Sequence, residues 1–107
     1  MSRSLADMQR DVEAVSQIYA RYCGFERDAD WYVMKVQEEA GETVSAYLRM
    51  TLRGRHKGDT ADEIRRQFED ELSDLLASVL LVAEKNGVDL QEAMERKWFS
   101  YLKASAD

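Results

Sequence analysis

The chain has no proline among its 107 residues and only five glycines, which limits the turns that it can form. An all-β domain depends on many turns, and turns are rich in both residues, so a sandwich or a barrel is disfavoured. Four of the glycines separate stretches in which apolar residues recur at helical spacing; these are Gly24, Gly54, Gly58 and Gly87. The sequence therefore predicts an all-α bundle of four helices that forms a single domain over residues 1–107.

The four helices are predicted to cover about residues 4–23, 29–53, 61–86 and 90–104. The second carries two apolar stripes and Gly41, which costs about 1 kcal/mol relative to alanine inside a helix. A close helix–helix approach would justify that glycine. The same helix would be nearly 40 Å long, whereas a compact chain of this size has a radius of gyration near 13 Å. We infer that part of it packs against a second subunit.

Charge and composition exclude several classes of protein. The net charge is −6, from 15 basic and 21 acidic residues, whereas a nucleic-acid binder needs a basic surface. The longest central stretch without a charge, Leu75–Ala83, is too short to span a membrane, which takes roughly 20 residues. We therefore expect the protein to bind neither nucleic acid nor membrane. A single cysteine, Cys23, and an N-terminus without an apolar segment predict a cytoplasmic protein.

Two groups of acidic residues lie beside the apolar faces of the second and third helices. The first is Glu38, Glu39 and Glu42, and the second is Glu71 and Asp74. Residues three apart share a helix face, so antiparallel packing would bring the two groups together at the edge of the core. Carboxylates in contact repel each other, and a hard divalent cation such as Mg²⁺ relieves that repulsion. The alternative is a solvated charged face, because acidic pairs at this spacing are common in so acidic a chain.

Three segments in this order resemble the MazG-like all-α nucleoside triphosphate pyrophosphohydrolases. They are residues 35–42, which read KVQEEAGE, residues 70–76, which read DELSDLL, and residues 87–93, which read GVDLQEA, followed by Lys97. The family pattern is an E-x-x-E pair on one helix and an E-x-x-D pair on the next. Glu39 with Glu42 and Glu71 with Asp74 fill those positions, with 28 residues between the pairs.

The resemblance implies an oligomeric helical bundle, either a homodimer or a homotetramer, and a reaction. A nucleoside triphosphate or its deoxy form would be cut between the α and β phosphates, yielding the monophosphate and pyrophosphate. Glu39, Glu42, Glu71 and Asp74 would hold Mg²⁺, for which Mn²⁺ can substitute. Glu38 would orient or deprotonate the attacking water, or would be a solvent-facing neighbour. Two alternatives remain open, namely a phosphoribosyl-ATP pyrophosphohydrolase and a non-catalytic helical interaction module.

Basic residues near these motifs are candidates for binding the substrate phosphates. Between Thr43 and Gly58 there is no acid, and the basic residues of this stretch, Arg49, Arg53, Arg55 and Lys57, form a local positive island. We expect Arg53, Arg55 and Lys57 to contact phosphate; the alternative is a solvated turn. Lys35 and Lys97 are further phosphate candidates, although Lys35 is also placed for an ordinary ion pair with Glu39.

Overall fold

The structure, a computed structural model, describes residues 2–51 and 56–102 of the chain. Its helices are α1 (Leu5–Cys23), α2 (Ala29–Met50), α3 (Ala61–Lys85) and α4 (Leu90–Met94). No strand occurs within these two described ranges, which confirms the all-α prediction. In the part of the chain that is described, no helix is long and apolar enough to cross a membrane.

The chain divides into two compact units. The central unit, Arg27–Val79, contains α2 and most of α3. The terminal unit consists of the residues up to Glu26 and those from Leu80 onward, and contains α1, the end of α3 and α4. The assignment of residues 1–107 to a single domain stays a prediction.

Local capping interactions fix where the helices begin. Thr60 and Glu63 form the predicted capping box before α3, because each side chain accepts a hydrogen bond from the other's backbone N–H, at 3.1 and 3.0 Å. Asp28 caps α2 by accepting from the backbone N–H of Trp31 at 2.8 Å. Gly24 ends α1 with φ 71°, a left-handed conformation that glycine adopts without strain.

The second helix differs from its predicted extent, and the last helix differs in its type of hydrogen bonding. The second ends at Met50 rather than Arg53, because Thr51 leaves the helical conformation and its hydroxyl lies 3.1 Å from the carbonyl of Tyr47. At 22 residues, α2 is about 33 Å long rather than nearly 40 Å. The last helix runs from Leu90 to Leu102, the last described residue, but its middle, Glu95–Phe99, is π-helical.

In the terminal unit, Gln9 connects α1 to the turn between α3 and α4. This side chain is 4% exposed. Its Nε2 donates to the carbonyl of Val88 at 2.9 Å, and its Oε1 accepts from the backbone N–H of Leu90 at 3.1 Å. Both halves of the buried amide are therefore paired, which avoids the cost of burying an unsatisfied polar group.

In the central unit, α2 and α3 pack as an antiparallel helical hairpin. The Thr43 hydroxyl lies 2.8 Å from the carbonyl oxygen of Glu39 on its own helix and 3.1 Å from that of Glu71 on α3. One turn further along α2, the ring of Tyr47 contacts Phe68, with their centroids 6.0 Å apart. These contacts set the register of the hairpin, and they place the acidic segment of α2 beside that of α3.

Candidate metal centre and adjoining groove

The hairpin brings the five predicted acidic residues into two overlapping groups. One carboxylate oxygen from each of Glu38, Glu39 and Glu42 lies within 4.8 Å of the others. The same holds for Glu39, Glu71 and Asp74. Glu39 belongs to both groups and therefore links the acids of α2 to those of α3.

The position of Glu39 follows from helix geometry and from the hairpin register. Glu38 and Glu42 are four residues apart and share one side of α2, and Glu39 lies next to them on the side that faces α3. On α3, the i, i+3 spacing of Glu71 and Asp74 directs both side chains toward the same edge. The sequence therefore determines each half of the cluster, whereas the hairpin register joins the halves.

Two carboxylate oxygens at the centre of this cluster are buried and have no hydrogen-bond partner among the described residues, Oε2 of Glu39 and Oε2 of Glu71. The side chain of Glu39 is only 12% exposed. A buried acceptor without a partner costs about 1–3 kcal/mol, and more when it carries a charge. The arrangement thus stores an unfavourable interaction that a bound cation would remove.

The raised pKa of Glu39 also indicates a site that favours a bound cation. Burial, followed by the negative charge of Glu42, raises the pKa of Glu39 above its ordinary value of 4.5. Asp74 adds to this effect, and Lys35 opposes it. The carboxylate form of Glu39 is therefore destabilised when no cation is bound.

Lys35 is the basic residue that the structure places against the acids. Its Nζ lies 3.1 Å from Oε1 of Glu38 and 3.5 Å from Oε1 of Glu39. Burial alone would lower the pKa of Lys35. The hydrogen bonds that Lys35 makes with Glu38 and Glu39, and the negative charges of these two residues, outweigh burial and raise its pKa above the ordinary value. Lys35 is therefore a firmly charged ammonium one helical turn before the shared carboxylate.

The donor set fits a hard divalent cation. All five side chains offer carboxylate oxygens, which Mg²⁺ prefers, and no nitrogen or sulfur ligand takes part in either group. The two unpartnered oxygens of Glu39 and Glu71 lie where the groups overlap, so a cation there would satisfy both. Glu39, Glu42, Glu71 and Asp74 are the residues that would hold it, with Glu38 beside them.

The other basic candidates are not part of this cluster as described. Lys57 is exposed in the loop before α3 and has a positive φ of 53°. Lys97 is exposed on the π-helical segment of the terminal unit. Arg53 and Arg55 lie outside the described residues. The role of all four in binding phosphate stays a prediction.

A groove of about 600 Å³ extends from the cluster along the hairpin. Its lining residues are Glu38, Gly41, Glu42, Ser45, Ala46, Arg49, Gln67 and Glu71. Three of them, Ser45, Ala46 and Gln67, were not recognised from the sequence. Helical spacing in the sequence indicates two of these residues, because Ser45 and Ala46 follow Glu42 by three and four positions and so lie on the same side of α2.

Arg49 ends the groove and is not a free cation. Its guanidinium donates to the carboxylate of Asp59 at 2.7 Å and to the carbonyl of His56 at 2.6 Å. Gln67 contacts both Arg49 and Asp59. The hydrogen bonds from Arg49 and Gln67 lower the pKa of Asp59, which keeps it ionised. The positive island is thus partly neutralised by an acid that lies just beyond it in the sequence.

Gly41 does not serve the predicted close approach of two helices within the chain. A Cβ atom built on this residue would meet no neighbouring atom within 4 Å, so the space beside it is open. That space belongs to the groove, which Gly41 lines.

Comparisons of the chain with protein-family models, with curated proteins and with solved structures found no match. The functional assignment therefore depends on the chemistry of the site.

Proposed function

We propose that the protein is a Mg²⁺-dependent nucleoside triphosphate pyrophosphohydrolase that releases a nucleoside monophosphate and pyrophosphate. The observation that carries the proposal is the pair of buried, unpartnered carboxylate oxygens of Glu39 and Glu71, where the two acidic groups overlap. A solvated charged face would leave such oxygens in water. The resemblance of residues 35–42, 70–76 and 87–93 to the MazG-like family supports the same reaction.

In this reaction, water adds to the α-phosphorus, and the bond to the oxygen that bridges the α and β phosphates breaks. Bound Mg²⁺ would neutralise phosphate charge and lower the pKa of a coordinated water. Among the described residues, Glu38 is exposed beside the cluster and would accept the proton of the attacking water. Lys35, which forms ion pairs with Glu38 and Glu39, would supply a positive charge to the phosphates.

The exposed apolar side chains of the central unit support an oligomer, either a homodimer or a homotetramer. Val33, Val44 and Tyr47 on α2 and Leu72 and Leu76 on α3 are each between 45% and 60% exposed. Large exposed apolar patches of this kind mark interaction surfaces. The same surface would also serve a non-catalytic helical interaction module, which is the second candidate function. The assignment to the cytoplasm belongs to the proposal as well.

The reaction is tested by measuring pyrophosphate release from a panel of ribo- and deoxyribonucleoside triphosphates, with Mg²⁺ and with EDTA. We expect release that needs the metal, and Mn²⁺ is expected to support it too. The variants Glu39→Gln and Asp74→Asn should lower turnover at least 100-fold. Glu69→Gln, an exposed acid on α3 that pairs with Arg65, is the matched control and should retain full activity.

Absence of release from every substrate would contradict the proposal, and phosphoribosyl-ATP would then be the next substrate to test. Thermal unfolding separates the two remaining classes. An enzyme that binds Mg²⁺ gains about 2.7 kcal/mol of stability at 100 times the dissociation constant. An interaction module should show no such gain. In Mg²⁺ its acid-to-amide variants should be as stable as the wild type or more so, whereas the same variants of the enzyme lose the stabilisation that the metal provides.

A further inference from the structure

The groove beside the acidic cluster has a direction along α2. Lys35 lies one turn before Glu39, and Arg49 lies two turns after Glu42, about 10 Å further along the helix. The acids lie between these two basic residues, and the groove occupies only the Arg49 side. Its volume of about 600 Å³ falls in the range of roughly 300–1,000 Å³ that is typical of small-molecule sites.

The floor of the groove consists of small side chains. Gly41, Ser45 and Ala46 line it from α2, and the space above Gly41 is open. A glycine inside a helix costs about 0.5–1 kcal/mol relative to alanine, and no contact among the described residues accounts for that cost. A floor of this kind allows a flat group to lie close to the helix backbone.

The far end of the groove is polar and close to neutral in charge. The positive charge of Arg49 is balanced by Asp59, and Gln67 is bonded to both. The remaining charged side chains that line the groove are the acids Glu38, Glu42 and Glu71. A polyphosphate chain would therefore find no uncompensated positive charge among these lining residues. Lys35 is also paired, but its partners Glu38 and Glu39 belong to the acidic groups, so a cation bound there would neutralise them and leave the charge of Lys35 for the phosphates.

We propose that the groove is the nucleoside subsite: the sugar and base lie over Gly41, Ser45 and Ala46 with the base edge toward Arg49 and Gln67, and the pyrophosphate half extends the other way, toward Lys35. The proposal rests on the proposed function and adds a direction to it. It also selects Lys35 from the five basic residues predicted to contact phosphate. Binding of the phosphate tail by Lys57 would require the opposite direction.

The two products of the reaction test this direction without turnover. Nucleoside 5′-monophosphates and inorganic pyrophosphate are titrated separately into the ¹⁵N-labelled full chain in Mg²⁺, and amide shifts are followed by NMR. We expect at least one monophosphate to shift the amides of Ser45, Ala46 and Gln67, and pyrophosphate to shift that of Lys35. Monophosphate shifts confined to the Lys35 side, pyrophosphate shifts around Lys57, or no binding of any monophosphate would overturn the proposal.

A filled groove provides the second test. In Ser45→Leu, leucine replaces an exposed serine of α2. Leucine is a good helix former, so the helix should be retained, and its bulky side chain would fill the groove above Gly41 and Ala46. We expect it to abolish the monophosphate shifts and raise KM at least tenfold, with the Mg²⁺-dependent thermal stabilisation retained. Ser73→Leu, an exposed serine of α3 that does not line the groove, is the matched control and should change none of these.

These measurements distinguish failure of the subsite from failure of the function. Metal-dependent turnover with unchanged KM and unchanged monophosphate shifts in Ser45→Leu would refute the subsite and leave the proposed function intact. Absence of turnover in the wild-type chain would refute the function, and the monophosphate titration would still show whether the groove binds a nucleoside.

Discussion

Glu39 is the residue on which both acidic groups depend. Its carboxylate is buried, one of its oxygens has no hydrogen-bond partner, and its pKa is raised by burial and by the charge of Glu42. A carboxyl whose pKa is higher in the folded chain favours folding most at low pH, and that contribution is lost as pH rises through the folded-state value. Without a cation, ionised Glu39 therefore destabilises the fold at neutral pH.

We accordingly predict that Glu39→Gln raises the melting temperature of the metal-free protein at pH 7. The gain should shrink as pH falls through the raised folded-state pKa toward 4.5, the ordinary glutamate value. It should be absent below 4.5, because the wild-type carboxyl is then protonated in both the folded and the unfolded chain. Thermal unfolding across this pH range checks both points, with Glu69→Gln as the control. A variant that is less stable than the wild type at pH 7 in EDTA would contradict this account of the site.

Gly41 supplies a second prediction at the scale of single residues. Because a Cβ atom there meets nothing within 4 Å, Gly41→Ala should stabilise the chain by about 0.5–1 kcal/mol, measured by urea unfolding. The added methyl group points into the groove, so KM for the nucleotide should rise at the same time. A loss of stability instead would mean that another chain packs against α2 at this position.

At the scale of elements, the α2–α3 hairpin determines whether the acidic groups meet. The Thr43 hydroxyl is the polar link between the two helices at the level of the cluster, because it lies within hydrogen-bond distance of the carbonyls of both Glu39 and Glu71. Below it the register is continued by Tyr47 against Phe68. A small shift of α3 along α2 would separate Glu71 from Glu39.

Thr43→Val keeps the shape of the side chain and removes this link. We predict a loss of about 1 kcal/mol in the free energy of unfolding, the usual net value of one hydrogen bond. We also predict weaker Mg²⁺ binding, measured by calorimetry, because the two halves of the site are less firmly aligned. Thr51→Val is the control, since among the described residues its hydroxyl contacts only carbonyls of its own helix. Unchanged metal affinity in Thr43→Val would show that the register is fixed by apolar contacts alone.

At the scale of the whole molecule, the exposed apolar face of the central unit requires an explanation. Tyr47 and Leu72 are each 45% exposed, and their neighbours Val44 and Leu76 are more exposed still. This face flanks the hairpin on the side away from Glu38, Glu42 and the groove, as their positions around α2 show. A second copy could therefore cover it and leave the acids accessible.

We predict that the chain sediments as a homodimer or homotetramer and not at its monomer mass of 12.4 kDa. Leu72→Glu places a charge in the apolar face and should dissociate the oligomer, whereas Ser73→Glu, one position along the same helix, should not. Sedimentation velocity over a range of concentrations distinguishes the states. A wild-type chain that is monomeric at high concentration would remove the oligomer from the proposal.

Local interactions are the part of this protein that the sequence determines by itself. Apolar spacing predicts the helices, and the capping box of Thr60 and Glu63 predicts where α3 begins, because both depend on residues a few positions apart. The same reasoning predicts which acids share a face on each helix. It predicts less well where α2 ends, because the Thr51 side chain competes there with the helical backbone.

Only the tertiary structure decides how those local pieces act together. The shared position of Glu39, the open space over Gly41 and the neutralisation of Arg49 by Asp59 all depend on the hairpin register and on a loop that returns toward α2. The charges that neighbour a residue in the sequence do not show which residue it contacts in the folded chain. Arg49 therefore belongs to a positive island in the sequence, whereas in the folded chain it forms one end of a nearly neutral groove.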